Sequence, residues 1–329
     1  MRRLLPCALF LAAVACRSST LPTAMSDAEF WALTESLSEP AGAFAISDNL
    51  VSNEPRVADN VRWLQARGGV YVGVGPEQNF SYIAKLRPAA AFVIDIRREN
   101  RNLHLLYKAL FEMSDDRAGF VSLLFSRVRP AGLDAGSSAS EIFDRYAAAA
   151  PSANVRDLTA SLVRERLVKA HGFALTADDL ASIDRALDAF FKDGPAIQFW
   201  SSGAVTTDVP GPSYRALMSA RDLTGQTRSF LADEASFRFV KSLQARNLIV
   251  PVVGDFAGPA AIRRVGDYVR ARGDVIRAFY GSNVGVYLTT RQTRAYCANL
   301  STLPVSDDAW FVESDGVRSF AAKLRTCGT

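Results

Sequence analysis

The segment Gly73-Val74-Gly75-Pro76-Glu77-Gln78-Asn79 carries the strongest chemical signal in the chain, with Asp95 twenty residues beyond Gly75. Glycines that follow a strand let the backbone approach a ligand, and the helix after them offers its N-terminal amides. A carboxylate at the end of the next strand can accept both hydroxyls of a ribose. The pattern places cofactor contacts at Gly73, Gly75, Glu77, Asn79 and Asp95. Arg97, just past the carboxylate, is positioned to meet a phosphate or to sit in solvent. The competing structural reading is that the glycines permit close packing and Asp95 caps a strand end.

Two further groups can converge on the same place. Asn49, Ser52, Asn53 and Glu54 precede the glycine strand, and Ser52, Asn53 and Glu54 are expected to line a substrate pocket above the strand ends. Their alternative is a capped turn leading into a helix. Gly254-Asp255-Phe256 and Tyr280-Gly281-Ser282-Asn283 end later apolar runs. Ligands of open α/β sheets lie beyond the carboxyl ends of the strands, so Asp255, Tyr280 and Asn283 should face one crevice. There Asp255 would act as a base, and Tyr280 or Asn283 would orient a nucleophile. The alternative reading of Asp255 is the cap of the next helix.

Other chemistries find little support. Gly281-Ser282-Asn283-Val284-Gly285 has the wrong spacing for a nucleophile elbow, and no Walker A loop or H-E-x-x-H occurs. Two histidines and no close cysteine pair argue against zinc, and no metal is expected. His104 lies in an apolar helical run and reads as a packing residue; His171, beside Gly172, suits a helix C-terminus. Arg263, Arg264, Arg270, Arg272 and Arg277 read as a solvated face.

The elements that must position these residues follow from hydrophobic patterning. Val70–Val74 and Ala91–Ile96 are apolar runs without alternation, as in strands covered on both faces. A helix over residues 79–86 joins them in a right-handed βαβ unit. Residues 100–192 read as mostly helical, too long for one crossover. Within them Ser114 and Asp157 are expected to cap helices, and Thr176 with Asp179 another. The α/β rhythm resumes after residue 230, with strands over 248–253 and 275–280 and Pro259 opening a helix. Trp310-Phe311-Val312 is expected to be an edge strand. The fold class is α/β: a three-layer, Rossmann-like, mostly parallel sheet over residues 26–329, with a helical insertion at about 100–230.

The stretch VYVGVGPEQNFSYIAKLRPAAAFVIDIR resembles the opening of class I S-adenosylmethionine-dependent methyltransferases. NLVSNE, GVGPEQNFSYI, DIRR, LHLLYKALFE and FYGSNVGVYL together resemble an uncharacterised bacterial family assigned to that superfamily. The resemblance implies a nucleoside-bearing ligand, S-adenosylmethionine foremost, at Gly73, Gly75 and Asp95. The chain departs from the pattern at Tyr71, where an acidic residue is usual, and at Glu77, where a third glycine is usual. Glu77 would sit near the methionine carboxylate of such a cofactor and repel it, unless it bound the amino group. The alternatives are a non-catalytic binder with a degenerate pocket and a nucleotide-dependent oxidoreductase.

Residues 1–16, MRRLLPCALFLAAVAC, combine Arg2 and Arg3 with a short apolar run far below the roughly 20 residues of a membrane span. Ala13-Val14-Ala15-Cys16 resembles a lipobox, which implies a signal peptide, acylation of Cys16, and a tether over 17–25. Arg17 in place of aspartate favours an outer-membrane lipoprotein facing the periplasm; translation from Met25 would instead leave the protein in the cytoplasm. Cys297 and Cys327 form an even pair suited to a disulfide in an oxidising compartment. The net charge of +4 falls to +2 without Arg2 and Arg3, so no nucleic-acid partner is expected. The expected partners are a small-molecule ligand and, through the lipid, a membrane. Cys16→Ser should abolish acylation and release the protein from the membrane fraction. Wild type and variant both fractionating as cytosolic protein that begins at Met25 would refute export.

Overall fold

The computed structural model describes residues 20–44, 49–199 and 211–327. Residues 1–16, expected to be a signal ending at Cys16, lie outside them. Six strands form one sheet: β1 (Val70–Gly73), β2 (Ala90–Asp95), β3 (Ile249–Val253), β4 (Ile276–Ser282), β5 (Val305–Glu313) and β6 (Gly316–Ser319). Their order is β3-β2-β1-β4-β5-β6. β1 to β5 run parallel, and β6 pairs antiparallel with β5. The direction of strand addition reverses between β1 and β4. Every residue of β1, β2 and β3 is buried, so helices cover both faces of this half of the sheet. That is the arrangement expected of the unalternating apolar runs.

Thirteen α-helices are present among the described residues: α1 (Asp27–Leu37), α2 (Val57–Trp63), α3 (Gln78–Leu86), α4 (Arg98–Met113), α5 (Arg117–Phe125), α6 (Ala139–Ala148), α7 (Ala153–Arg164), α8 (Ala177–Asp193), α9 (Tyr214–Ser219), α10 (Glu234–Ala245), α11 (Ala261–Ala271), α12 (Thr290–Ser301) and α13 (Phe320–Thr326). α3, α4 and α10 pack together, as do α1, α11 and α12. None is long and apolar enough to cross a membrane. Phe80 of α3 seats the crossover, with ring centroids 5.2 Å from Tyr107, 5.2 Å from Phe111 and 5.4 Å from Phe230.

Helices α5 to α9 intervene between α4 and α10, and two buried ionic clusters fasten them. The Arg117 guanidinium meets Glu234 at 2.8 Å and donates to the carbonyls of Leu231, Ala232, Ala135 and Ser137. Asp179 on α8 accepts from Arg98, Arg101 and Asn102 of α4. Despite its burial, these donors and the Thr176 amide hold its carboxyl well below the usual range. The Thr176–Asp179 capping box stands as expected, and a second box, Ser26–Glu29, opens α1.

Several boundaries differ from the sequence reading. Ser114 closes α4 by donating to the Leu110 carbonyl, so Asp116 caps α5 through the Gly119 amide at 2.7 Å. Ser152, not Asp157, caps α7; Asp157 lies inside the helix and pairs with Arg156. Pro259 precedes the Ala260 cap of α11. Trp310-Phe311-Val312 belongs to an interior strand, and the edge is β6, reached through a turn containing Asp315-Gly316. Residues 20–25 lie along the domain: the Thr20 amide donates to Arg272 and the Met25 amide to Arg246.

Cys297 of α12 and Cys327 beyond α13 form a disulfide, their Cα atoms 5.5 Å apart. It closes a loop with a sequence separation of 30 residues. Loop-closure entropy puts its stabilisation at about 2–4 kcal/mol. Non-reducing peptide mass spectrometry should recover the linked pair, and Cys297→Ala/Cys327→Ala should unfold at lower denaturant by that margin. Two alkylatable thiols in the folded protein would contradict the bridge.

Candidate functional site

The carboxyl ends of β1, β2, β3 and β4 open on a cleft of about 960 Å³, its solvent-filled mouth included. Val74, Gly75, Pro76 and Gln78 form the floor. Asp95, Arg97 and Phe44 stand on the β2 side; Asn49, Ser52, Asn53, Glu54, Ser282 and Asn283 stand on the β4 side. Asp255 and Phe256 close the end beyond β3. The cleft thus lies where the strand order reverses, the usual ligand position in open α/β sheets.

The floor is shaped by Asn79. Its Nδ2 donates to the carbonyls of Val74, Gly75 and Pro76 at 2.9, 3.0 and 2.8 Å. Its Oδ1 accepts from the Tyr71 hydroxyl at 2.8 Å. A Cβ on Gly73 would lie 2.0 Å from that oxygen, so Gly73 is required by the Tyr71–Asn79 bond. Gly75 has φ +79°, a left-handed conformation that favours glycine, and it does line the cleft. Nε2 of His104 donates to the Gly75 carbonyl at 2.9 Å from beneath. Burial pushes the His104 imidazole down to about 4, which keeps it neutral at pH 7.

Glu77 is fully buried and does not line the cleft. Its carboxyl oxygens accept from the Ser52 amide, each at 3.2 Å. Burial pushes its pKa up to about 8; its own amide and that of Ser52 oppose the shift, and the nearby Glu54 carboxyl adds to it. Contrary to expectation, Glu77 is directed at the 49–54 loop rather than toward a cofactor. Pro76 has no amide hydrogen, so one donor usual in a phosphate-cradling glycine turn is missing.

Asp95 and Arg97 form a buried bidentate pair. The Arg97 amide and Nε donate to Oδ1 at 3.0 and 2.9 Å, and Nη2 donates to Oδ2 at 2.8 Å. Oδ1 is thereby filled, while Oδ2 retains room for one hydroxyl rather than the ribose pair expected of this carboxylate.

Glu54 accepts from the Ser282 hydroxyl through Oε1, whereas Oε2 is buried without a hydrogen-bond partner among the described residues. Burial raises its pKa, opposed by the Ser282 and Tyr280 hydroxyls. The Ser52 hydroxyl receives the Glu54 amide at 3.1 Å. Tyr280 is buried below the cleft, where its hydroxyl accepts from Gln78 Nε2 at 3.1 Å, and it does not reach the cleft surface. Asn283 and Asp255 do line it. Oδ1 of Asp255 accepts from the Ala257 amide at 2.9 Å, shaping a turn.

Gly75, Asp95, Arg97, Ser52, Asn53, Glu54, Asp255 and Asn283 are therefore brought to one cleft, while Gly73, Glu77, Asn79 and Tyr280 support it from below. Sequence reasoning missed Gln78 and Ser282 as lining residues and His104 as a support. Gln78 stood inside the motif, but no local pattern marks a histidine twenty-nine residues away as a partner of Gly75.

A family model described as a domain of unknown function, DUF7790, matches residues 49–132 and 203–323, more than half of the chain. The matched segments hold all six strands. No curated protein matches the chain.

Glu77 gives a pH signature. Its folded value near 8 exceeds its ordinary 4.5, so its stabilising effect is complete below about pH 4.5 and lost as pH rises to about 8. The maximal slope is about 1.4 kcal/mol per pH unit. His104, depressed by burial, acts oppositely, but only below its ordinary 6.5. Chemical denaturation between pH 6.5 and 8 should show wild type weakening with pH and Glu77→Gln weakening much less, Glu54 leaving a residual slope. Parallel slopes in the two proteins would show that Glu77 is ionised throughout.

Proposed function

The chain belongs to the DUF7790 family, and we propose that its cleft binds a nucleoside-bearing small molecule, with S-adenosylmethionine the first candidate. The carrying observation is that Gly75 at the end of β1 and Asp95 at the end of β2 line one cleft at the reversal of strand order. A sheet of order 3-2-1-4-5-6 with a glycine turn after the first strand is the layout of doubly wound nucleotide-binding domains. The residues suit such a group. Gly75 offers a floor without a side chain, Asp95 Oδ2 is left to accept a ribose hydroxyl, and Phe44 presents an apolar face. Buried acceptors on Glu54, Gln78 and Asn49 lack partners among the described residues.

S-adenosylmethionine, when bound, supplies an activated methyl group. Asp95 would orient its ribose, Gly75 would permit close approach, and Asp255 at the β3 end or Asn283 on the β4 side would face an acceptor. Within the same proposal, the protein is an exported lipoprotein acylated at Cys16. A second reading, binding without methyl transfer, is favoured by Asp255: its Oδ1 is engaged by the Ala257 amide and shapes a turn.

Isothermal calorimetry with S-adenosylmethionine, its demethylated product and NAD tests the site. One charge-assisted bond is worth about 1.5–3 kcal/mol, so Asp95→Ala should weaken binding at least about tenfold. Asp95→Ala also strands the buried Arg97 charge, so Asp95→Ala/Arg97→Met should bind as weakly while retaining the fold. Gly75→Val should abolish binding. Failure of folded wild type to bind any of the three ligands would end the nucleoside reading.

A further inference from the structure

On the β4 side of the cleft, three buried acceptor oxygens make no hydrogen bond among the described residues. Glu54 is 3% exposed and Gln78 4% exposed, and both line the cleft. Glu54 Oε2, Gln78 Oε1 and the nearby Asn49 Oδ1 are buried oxygens without a hydrogen-bond partner among the described residues. Native interiors rarely leave such atoms unpaired, and each costs stability until a donor arrives.

The charge pattern says which donor. Asp95 has Arg97 beside it, but Glu54 has no ion-pair partner among the described residues. The titratable groups around Glu54 are acidic: the Glu77 carboxyl on the turn, Asp315 from the β5–β6 connection, and the phenols of Tyr71, Tyr82 and Tyr280. A neutral hydroxyl would satisfy one oxygen and leave the clustered carboxyls uncompensated. A cation with several N–H donors would satisfy both needs.

We propose that Glu54, with Gln78 and Asn49, forms an ammonium-recognising subsite, so that the natural ligand carries a primary amine. This rests on the nucleoside reading for the rest of the ligand, but the subsite is separable from it. An ammonium group has three donors and one positive charge, which matches three acceptors and one uncompensated carboxyl. A cation there would favour the ionised form of Glu54, opposing the effect of its burial. The Ser282 hydroxyl then remains donated to Oε1, leaving Oε2 for the ligand.

The test uses matched pairs that differ only in the amine: S-adenosylhomocysteine against its N-acetyl derivative, and methioninamide against N-acetylmethioninamide. Calorimetry on wild type should show each amine binding at least about tenfold tighter than its acetylated partner. Glu54→Gln, which keeps the shape and the bond from Ser282, should erase that gap. Asp95→Ala/Arg97→Met should weaken only the adenosyl pair and preserve the gap. Should Glu54→Gln fail to fold, Asn49→Leu should narrow the gap instead. Equal binding of amine and acetylated forms, an unchanged gap in the folded variants, or no binding of either amine would overturn the subsite. Methioninamide binding without any adenosyl binding would keep the subsite and discard the nucleoside reading; adenosyl binding without a gap would do the reverse.

Discussion

Asn79 holds three successive carbonyls of the turn that follows β1, and the cleft depends on that arrangement. Without it the Val74 and Pro76 carbonyls would lose this donor, each a loss of about 1–3 kcal/mol, and the Gly75 carbonyl would keep only His104. Sharing the two hydrogens of one side-chain nitrogen among all three curls the turn over the start of α3. The nitrogen is fixed because the Tyr71 hydroxyl fixes the opposite end of the amide. Gly73 lacks a side chain because that amide lies against it. Tyr71, Gly73 and Asn79 are thus one device. The tyrosine found where methyltransferases usually carry an acidic residue has a structural partner here and makes no contact with the cleft.

The walls hang from this floor. Glu77 reaches back to the Ser52 amide and fixes the 49–54 loop, and Gln78 reaches across to the Tyr280 hydroxyl on β4. The loop in turn closes on β4 through Glu54 and Ser282. Two adjacent residues at the start of α3 therefore set the position of the side wall and the strand beside it. Ser282 takes φ +51°, a left-handed conformation unusual outside glycine, at the point where its hydroxyl meets Glu54. His104 braces the floor from α4, and α4 is itself fastened to the inserted helices through Asp179. The insertion is thereby linked to the cleft through one helix.

Much of this was legible in the residues. Unbroken apolar runs at 70–74 and 91–96 announced fully covered strands, because burial on both faces removes the polar alternation. The glycine turn, the approach of Asp95, and the convergence of the 49–54 and 282–283 segments followed from strand polarity. The direction of each side chain did not. Spacing places Glu77 and Asn79 at a helix start, but whether they face ligand or backbone depends on tertiary partners such as Tyr71 and Ser52. The helix caps at Asp116 and Ser152 were missed for a related reason. Polar residues compete for each cap, and geometry decides which one reaches the N3 amide. The β5–β6 hairpin was missed although Asp315-Gly316 marks a turn, because its short second strand has no apolar run.

The two sides of the cleft differ in a way that constrains any ligand. β2 and β4 flank β1, so their ends stand about 10 Å apart at ordinary strand spacing. On the β2 side the carboxylate is already neutralised by Arg97, and its remaining acceptor suits an uncharged hydroxyl. On the β4 side the carboxyl stands among other acids, and burial raises its pKa. A ligand that matched only the first side would leave the buried acceptors unpaired. One that matched only the second would leave the Gly75 floor and the half-buried Phe44 ring uncovered. A complementary molecule brings hydroxyls to the β2 side and an ammonium to the β4 side, with a flat apolar group against Phe44. In an adenosyl amino acid the ribose stands between the base and the amino-acid end, so its hydroxyls and its ammonium are set apart as the two sides require, whereas a nucleotide would bring phosphates toward Pro76, which has no amide hydrogen to offer them.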